Sequence, residues 1–336
     1  MTLEPNCLFF NQAEDNGFTC KENEKVKLNV LNLKICPGFK CRYTQELPTI
    51  KKTDKMHKKH ILTLLLISII AYSFGYSQKQ VQYKQIDTTR LFLEIHYPET
   101  INTAKKYPAM VLFHGGAWNE GSIIQFEPHA KYFSQRGMIC ILVDYRVKKR
   151  HGTTPFESLK DAKSAIRFIR ENSEKFFIDT SKIAAAGGSA GGHLAAATAL
   201  IDDYNENTDN ISVSCIPNAL VLFNPVFDNG PGGFGFQSIG EAYKSFSPLH
   251  NIKKGTPPTI IFLGTNDKLL PVETAKYYQK VMEKVKSRCE LYLYEGQEHS
   301  FFNYKNFEYY KITISETDKF LQSLGYLNQE PIIEIE

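Results

Sequence analysis

The chain has 336 residues, 42% of them hydrophobic and 23% charged, with a formal net charge of +4. This length and composition fit a soluble globular protein with a sizeable core, and the sequence shows no internal repeat, heptad stretch or nucleotide-binding glycine fingerprint. Much of the positive charge lies in a lysine-rich cluster at residues 51–59, so we expect no nucleic-acid partner.

Residues 56–77 are predicted to be a secretory signal peptide. The basic stretch Met56–His60 precedes the apolar run Ile61–Ala71, which is shorter than the roughly 20 apolar residues of a transmembrane helix. Small and polar residues follow, and we place cleavage after Ser77. We therefore expect a secreted or periplasmic protein with no stable membrane span after signal cleavage.

Residues 1–55 form a doubtful N-terminal extension, because a signal peptide normally begins its chain. Met56 is then a candidate for the true start. Two alternatives stay open, a signal-anchored protein with a short cytoplasmic head and a small cysteine-bearing extension with its own role. Four of the seven cysteines lie in this extension, and their spacing lacks the paired Cys-x-x-Cys pattern of a zinc site.

The other cysteines, Cys140, Cys215 and Cys289, match neither a zinc site nor a disulfide framework. We predict that they are buried free thiols. The sequence implies no metal and no cofactor.

Eight predicted strands and five predicted helices fill residues 78–336. The first two strands alternate apolar and polar residues like an antiparallel edge hairpin, whereas the later ones are continuous apolar runs separated by helical stretches, as in parallel crossover units. The strands are Val81–Ile86, Leu91–Tyr97, Ala109–Phe113, Met138–Val143, Ile183–Ala186, Ala219–Phe223, Thr259–Leu263 and Glu290–Tyr294. The helices are Phe126–Arg136, Phe156–Asn172, Ala190–Leu200, Glu273–Lys286 and Phe307–Leu324. This order predicts one α/β catalytic domain with a mostly parallel eight-stranded sheet and helices on both faces.

The stretch Gly187–Gly191 has the Gly-x-Ser-x-Gly form of a nucleophile elbow. It lies between a predicted strand and a predicted helix, where such a turn forces the serine into a strained backbone and the glycines leave room for it. We predict that Ser189 is a nucleophile exposed at the carboxyl edge of the sheet.

A serine nucleophile needs a base that takes its proton and a carboxylate that orients the base. In the α/β-hydrolases, whose nucleophile elbow the stretch Gly187–Gly191 resembles, the chain order is serine, acid, histidine. Of the three histidines that follow Ser189, His193 lies one helical turn beyond the serine and His250 precedes the best acid candidate. We therefore predict that the base is His299, in a polar loop after the last strand.

The predicted acid is Asp267, in the loop that follows the buried strand Thr259–Leu263. Glu273 and Glu298 are the alternatives. Glu273 is predicted to open a helix, and Glu298 is adjacent in sequence to the histidine that it would have to orient.

An oxyanion hole combines the backbone N–H after the nucleophile with N–H groups of the loop after an earlier strand. The loop His114–Trp118 follows such a strand, and its glycines allow a close approach of the backbone to a substrate. We predict Gly115, Gly116 and Ala190 as the donors.

Two side chains of this loop, Trp118 and His114, are candidates for the wall of a substrate pocket. For Trp118 a place in the core is an equal alternative, and His114 is expected to organise the loop rather than act as a base. Phe302, beside the predicted base, is expected in the core. The Gly-rich and aromatic stretch 224–249 predicts a flexible lid or pocket wall, with a surface loop as the alternative.

With these motifs, the chain from about Tyr83 to Leu324 resembles the hormone-sensitive-lipase-like and acetyl-esterase branches of the α/β-hydrolase superfamily. The resemblance is carried, in family order, by His114-Gly115-Gly116-Ala117-Trp118, Asp144-Tyr145-Arg146, Gly187-Gly188-Ser189-Ala190-Gly191-Gly192 and the loops of Asp267 and His299. Two positions depart from the usual hormone-sensitive-lipase form, since Ala117 stands in place of a third glycine and Gly188 in place of an aspartate. We expect catalysis to survive both.

The elbow sequence, continued through His-Leu, is more similar to secreted bacterial esterases of the acetylxylan-esterase or feruloyl-esterase type. The resemblance implies an α/β-hydrolase fold and a serine carboxylesterase that hydrolyses short-chain acyl esters, with acetyl or feruloyl esters of carbohydrates among the expected substrates. A serine peptidase similar to the prolyl-oligopeptidase catalytic domain is an alternative that the early His-Gly-Gly loop disfavours. A non-catalytic binding protein on the same fold is another, disfavoured because all the members of the predicted triad are present.

Overall fold

A computed structural model describes residues 78–329 and 334–335 of the chain. The doubtful extension at residues 1–55 and the predicted signal peptide at residues 56–77 lie outside the described residues. None of the helices in the described part is long and apolar enough to cross a membrane. In that same part, no group of His, Cys, Asp and Glu side chains is arranged to hold a metal ion.

Eight strands form one sheet in the described part of the chain. They are β1 (Gln78–Ile86), β2 (Thr89–His96), β3 (Tyr107–Phe113), β4 (Ile139–Val143), β5 (Ile178–Gly188), β6 (Ala219–Phe223), β7 (Thr259–Gly264) and β8 (Cys289–Tyr294). The spatial order is β1-β2-β4-β3-β5-β6-β7-β8. β1 pairs antiparallel with β2 and β2 antiparallel with β4, and all the other pairs are parallel. The predicted eight-stranded, mostly parallel sheet with an antiparallel edge is confirmed.

Helices cover both faces of this sheet. The long ones are α1 (Glu127–Gln135), α2 (Pro155–Glu171), α3 (Ala190–Leu200), α4 (Val272–Lys284) and α5 (Phe307–Ser323). One-turn α-helices lie at Lys148–His151, Ser173–Phe176, Phe236–Ile239 and Tyr243–Phe246, and 3-10 turns lie at Ile123–Phe126, Gly240–Ala242 and Pro248–Asn251. All five predicted helices are present, with ends shifted by a residue or two.

Two apolar cores lie on opposite faces of the sheet, because alternate residues of a buried strand point to opposite sides. In β3, Val111 belongs to the core shared with α2, α3 and α4, whereas Leu112 belongs to the core shared with α1 and α5. The strands therefore read as continuous apolar runs, and their carboxyl ends meet at one edge, where the loops of the predicted site emerge.

Two regions differ from the predicted elements. β5 begins at Ile178, earlier than the predicted Ile183, because a polar and partly exposed first half extends the strand. The stretch 224–249 holds short helical turns and buried residues, including Phe246 and Asn229, so it is a packed wall at the edge of the sheet. Its predicted mobility stays a prediction.

The three cysteines of this domain are free. Cys140 and Cys215 are buried, as predicted, whereas Cys289 is only partly buried because it begins the edge strand β8.

Candidate active site

Ser189 lies at the turn between β5 and α3, in the strained backbone that the elbow pattern predicts. Its φ of 54° and ψ of −118° are outside the regions that most residues adopt. The flanking glycines leave no room for a side chain: a Cβ atom would lie 2.3 Å from the Gly191 carbonyl oxygen at Gly187, and 2.0 Å from the Phe113 carbonyl oxygen at Gly191. Close packing of β5, α3 and β3 thus holds the serine in position.

Asp267, His299 and Ser189 form a continuous chain of hydrogen bonds. Asp267 Oδ2 lies 2.7 Å from His299 Nδ1, and His299 Nε2 lies 3.0 Å from Ser189 Oγ. A carboxylate only accepts hydrogen bonds, so Nδ1 carries the proton and Nε2 accepts the serine hydroxyl. The side chain of Asp267 is fully buried, whereas that of His299 is 21% exposed. Asp267 is therefore shielded from solvent, whereas His299 is partly accessible to it.

Two backbone groups fix the acid. The Oδ1 atom of Asp267 accepts the N–H groups of Leu269 and Leu270 at 2.9 and 3.1 Å. The carboxylate therefore cannot rotate away from His299 without losing both bonds.

The alternative acids and the other two histidines take no part in the chain of hydrogen bonds from Asp267 to Ser189. Glu273 is in the first turn of α4, and the carboxylate that bonds to His299 Nδ1 belongs to Asp267 rather than Glu298. His193 is buried, with Nε2 2.9 Å from the Phe246 carbonyl oxygen. His250 Nε2 lies 3.4 Å from Asp228.

The predicted oxyanion loop, residues 114–118, lies directly against Ser189. A Cβ atom at Gly115 would lie 3.5 Å from the Ser189 Cβ. The N–H of Gly115 donates to Gln125 Oε1 at 2.7 Å, so the structure does not leave it free as the predicted oxyanion donor. Among the described residues, the N–H groups of Gly116 and Ala190 have no hydrogen-bond partner.

The same is true of the N–H of Ala117, which was not among the predicted donors. It lies in a run of three residues with positive φ, at 115° for Gly116 and 56° for both Ala117 and Trp118. Such a tight turn points successive N–H groups toward one side. The loop is stabilised where the Gly116 carbonyl accepts the N–H groups of Asn119 and Glu120.

Several known proteins that are similar to this chain are named esterases. The apo structure of Thermogutta terrifontis esterase 2 matches with a TM-score of 0.73 and 38% sequence identity, over 76% of this chain and 97% of that chain. The same enzyme has been solved phosphorylated by paraoxon and with propionate or butyrate bound. This likeness extends over nearly the whole relative. The chain belongs to the carboxylic ester hydrolases of the α/β-hydrolase type.

Two family models match successive parts of this α/β-hydrolase, BD-FAE at residues 93–222 and the dienelactone hydrolase family at residues 225–327. Esterase LipC of Mycobacterium tuberculosis is 28% identical over 220 residues, which covers 59% of this chain and 54% of the relative. An acetylxylan esterase of Xylanibacter ruminicola is 24% identical over 218 residues, covering 60% of this chain and 42% of the relative. The chain spans about half the length of the curated relatives it matches.

The motif Asp144-Tyr145-Arg146 of this α/β-hydrolase packs against the oxyanion loop at His114. The Tyr145 ring stacks on His114 with centroids 4.2 Å apart, and its hydroxyl donates to the His114 carbonyl oxygen at 2.6 Å. Arg146 donates from Nε and Nη2 to the two carboxylate oxygens of Asp161, at 2.8 Å each. Such a bidentate pair is rigid, so it anchors the loop that carries Tyr145.

Trp118 and His114 do not line a pocket in this α/β-hydrolase, because they are only 2% and 1% exposed. Trp118 packs on His193, Phe234 and Phe246, which joins the oxyanion loop to the wall at 224–249. Burial lowers the pKa of His114 to about 4, so it stays neutral and organises the loop. The structure therefore corrects the pocket-wall candidates: Trp118 takes the core position that was its alternative, and His114 organises the loop as expected.

Asn224 is a site residue that the sequence reasoning missed. It is fully buried directly after β6, and its Oδ1 accepts the N–H of Ser300 at 3.0 Å. Ser300 follows His299 and has a φ of 67°. A buried polar residue at the carboxyl end of an apolar strand was the signal that could have identified it.

Phe302 is buried, as predicted, and contacts the elbow. It stacks on Phe126 and Phe223, with ring centroids 5.8 and 4.8 Å apart. A Cβ atom at Gly188 would lie 2.4 Å from its Cζ atom. A side chain at position 188 would overlap the Phe302 ring, which explains why Gly188 stands where the hormone-sensitive-lipase form usually has an aspartate.

A small pocket of about 230 Å³ lies beside the catalytic edge. It is enclosed by residues after β6 and β7 and by the first turns of α4, namely Pro225, Phe227, Asp228, Pro231, Gly232, Gly233, Phe234, Leu263, Leu269, Leu270, Pro271, Thr274 and Ala275. Apolar side chains predominate, and the carboxylate of Asp228 is the charged group among them. Two of the lining residues, Leu269 and Leu270, are those that bind the carboxylate of Asp267.

Proposed function

We propose that the protein is a serine carboxylesterase in which Ser189, His299 and Asp267 act as nucleophile, base and orienting acid. The observation that carries the proposal is the chain of hydrogen bonds from Asp267 through His299 to Ser189, at 2.7 and 3.0 Å. These distances are within the reach required for proton transfer between a nucleophile and its base.

In this mechanism His299 Nε2 takes the hydroxyl proton while Ser189 Oγ bonds to the ester carbonyl carbon. The tetrahedral intermediate collapses, the alcohol leaves with the proton from His299, and an acyl-serine remains. Water then attacks the acyl carbon, His299 takes its proton, and the acid product leaves as the serine regains its hydrogen. Asp267 holds the imidazole and stabilises its charged form throughout.

The oxyanion of each intermediate is bound by backbone N–H groups. The proposal assigns this role to Gly116 and Ala190 with Ala117, since the Gly115 N–H is engaged by Gln125. Donors fixed before the reaction are worth several kcal/mol in such a site.

The proposed substrates are short-chain acyl esters. The pocket of about 230 Å³ beside the Asp267 loop is small and combines apolar side chains with the carboxylate of Asp228. Its volume would accommodate a short acyl group. Propionate and butyrate are bound in structures of the Thermogutta relative, and another relative is named an acetylxylan esterase. Acetyl or feruloyl esters of carbohydrates are the proposed natural substrates, and a secreted or periplasmic location, proposed from the segment at residues 56–77, would give access to them.

The test is hydrolysis of p-nitrophenyl acetate, butyrate and octanoate by the full chain and its Ser189→Ala variant. We expect kcat to be highest on the two shorter esters and to fall by at least about 10⁴-fold in the variant. Acetylated xylan and methyl ferulate then separate the two carbohydrate classes. Equal turnover by the parent and the variant would overturn the role of Ser189.

A further inference from the structure

Gln125 lies between the oxyanion loop and the base loop, which comprises residues 295–306. Its Oε1 accepts the Gly115 N–H at 2.7 Å, and its Nε2 donates to Asn303 Oδ1 at 3.0 Å. A backbone N–H can only donate, so the contact with Gly115 fixes which end of the carboxamide faces each loop. One side chain thus bridges two loops that are distant in the sequence.

On the base-loop side, Asn303 belongs to the turn that follows His299. Its N–H donates to the Ser300 carbonyl oxygen at 3.2 Å, and its own carbonyl accepts the N–H of Asn306 at 2.8 Å. Because these bonds close the turn, a displacement of Asn303 is transmitted to the segment that carries the base.

A second contact joins the same two segments. Phe126 and Phe302, which are the sequence neighbours of Gln125 and Asn303, are buried, and their rings stack with centroids 5.8 Å apart at an interplanar angle of 22°. This apolar contact is independent of the hydrogen bonds. Loss of the bridge should therefore change how the loops are aligned while the fold remains intact.

We propose that Gln125 is a positioning residue that sets the oxyanion loop against the base loop. It acts through Gly115 and Asn303, so that the oxyanion donors and the imidazole of His299 are aligned on the same ester carbonyl group of the substrate. Small misplacements of such groups cost large factors in rate. The inference rests on the serine esterase function proposed above.

The test measures kcat, KM and thermal midpoint with p-nitrophenyl acetate for Gln125→Ala, Asn303→Ala and Asn303→Asp in the full chain. We expect either alanine variant to lower kcat roughly 10-fold, with KM changed less than about twofold and the thermal midpoint nearly unchanged. Asn303→Asp keeps an acceptor for Gln125 Nε2, so it should recover most of kcat. The matched control is Gln135→Ala, which removes an exposed carboxamide at the end of α1 that contacts neither loop.

The double variant Gln125→Ala/Asn303→Ala should be no slower than Gln125→Ala alone, because both changes break one bridge. Additive losses, or a Gln125→Ala enzyme with kcat within about twofold of the parent, would overturn the inference and leave the esterase function standing. A loss of kcat that only follows a fall in thermal midpoint, without recovery in Asn303→Asp, would also overturn it. A parent chain without esterase activity would overturn both proposals.

Discussion

The nucleophile elbow and the base loop meet at the hydrogen bond between Ser189 Oγ and His299 Nε2 and at the contact between Gly188 and the Phe302 ring, but different forces dominate in each region. The elbow, residues 187–192, is positioned by steric exclusion, with glycines packed against the backbone of β3 and of the turn itself. The base loop, residues 295–306, is positioned mainly by hydrogen bonds to side chains of other segments, namely Asp267, Asn224 and Gln125, with one close backbone contact between Gln297 and Gly264.

This difference determines how each region should respond to mutation. Steric exclusion acts over tenths of an ångström, so an added methyl group in the elbow displaces the nucleophile and strains the fold. A hydrogen bond to the base loop contributes about 1 kcal/mol to stability, but its direction decides where the imidazole points. We therefore expect elbow variants to lose activity and stability together, and base-loop variants to lose mainly activity.

The sharpest test of the expectation that base-loop variants lose mainly activity is Asp267→Asn. The N–H groups of Leu269 and Leu270 donate to Oδ1, so the carboxamide oxygen takes that place and the N–H₂ group faces Nδ1. Nδ1 must then accept, and the imidazole adopts the tautomer in which Nε2 carries the proton and cannot accept the serine hydroxyl. We expect kcat on p-nitrophenyl acetate to fall by about 10⁴-fold while the thermal midpoint shifts by only a few degrees. A variant with kcat within tenfold of the parent would show that the acid is another residue, with Glu298 the first to examine.

For the elbow, Gly188→Ala tests the contact with Phe302. The new Cβ would lie 2.4 Å from the Phe302 Cζ atom, and that ring is held between other buried rings. We expect kcat to fall up to about 10²-fold and stability to decrease by about 1–3 kcal/mol, measured by steady-state kinetics and urea denaturation.

The control for this variant is Gly188→Ala in a Phe302→Leu background, where the smaller side chain leaves space for the methyl group. Recovery of kcat relative to Phe302→Leu alone would confirm that the ring is the cause. If Gly188→Ala behaves like the parent, steric exclusion does not govern this position, and the expectation that glycine is required beside this ring is wrong.

The elbow, which depends on local glycine spacing, could be predicted from the sequence, whereas the contacts that hold the base loop could not. The strands, the five helices and the elbow could be predicted because apolar periodicity and glycine spacing are local features of the sequence. The three members of the predicted triad were chosen from the elbow motif, the chain order and the loops that follow buried strands, and the structure brings them within hydrogen-bond distance.

The contacts that position the base loop and the oxyanion loop could not be predicted from the sequence. Gln125 and Asn303 are ordinary polar residues in irregular segments, and their pairing depends on a sheet edge that brings together positions 178 residues apart. The same contact removed the Gly115 N–H from the predicted donors. For Trp118, an aromatic residue beside a catalytic loop has the same local pattern whether it faces a pocket or the core, and only tertiary packing decides.

Asn224→Ala provides a smaller perturbation of the base loop. It removes the acceptor of the Ser300 N–H, so the residue after His299 loses its anchor, and we expect kcat/KM to fall about tenfold. The matched control is Asn229→Ala, another buried asparagine, whose side chain donates to the Phe234 carbonyl oxygen and does not contact the base loop. Equal losses of kcat/KM in the two variants would indicate a general effect of burying an unpaired group rather than positioning of the base.

Beneath both regions, His129 of α1 is buried among the rings of Phe126, Phe223, Phe302 and Tyr310. Neither ring nitrogen has a hydrogen-bond partner among the described residues. Burial lowers the pKa of His129 from 6.5 to about 3. The imidazole is therefore neutral in the folded protein, and an unpaired buried polar group of this kind costs about 1–3 kcal/mol.

The smallest expected effect on activity, and the clearest separation of packing from catalysis, comes from His129→Leu. An apolar side chain of similar size removes the desolvation cost, so the free energy of unfolding at pH 7 should rise by about 1–3 kcal/mol with kcat within about twofold of the parent.

The same variant should change the pH dependence of stability. Because the folded state binds fewer protons than the unfolded state between the two pKa values of His129, the parent loses stability as pH falls below about 6.5. The variant should lose less over the same range, while His114 and His193, whose pKa values burial also lowers, keep part of the dependence. Urea denaturation at pH 7 and pH 5 measures both effects, with the exposed His250→Leu as control. A His129→Leu protein that is less stable than the parent, with an unchanged pH dependence, would show that the aromatic cluster requires the imidazole and that packing beneath the elbow is not separable from it.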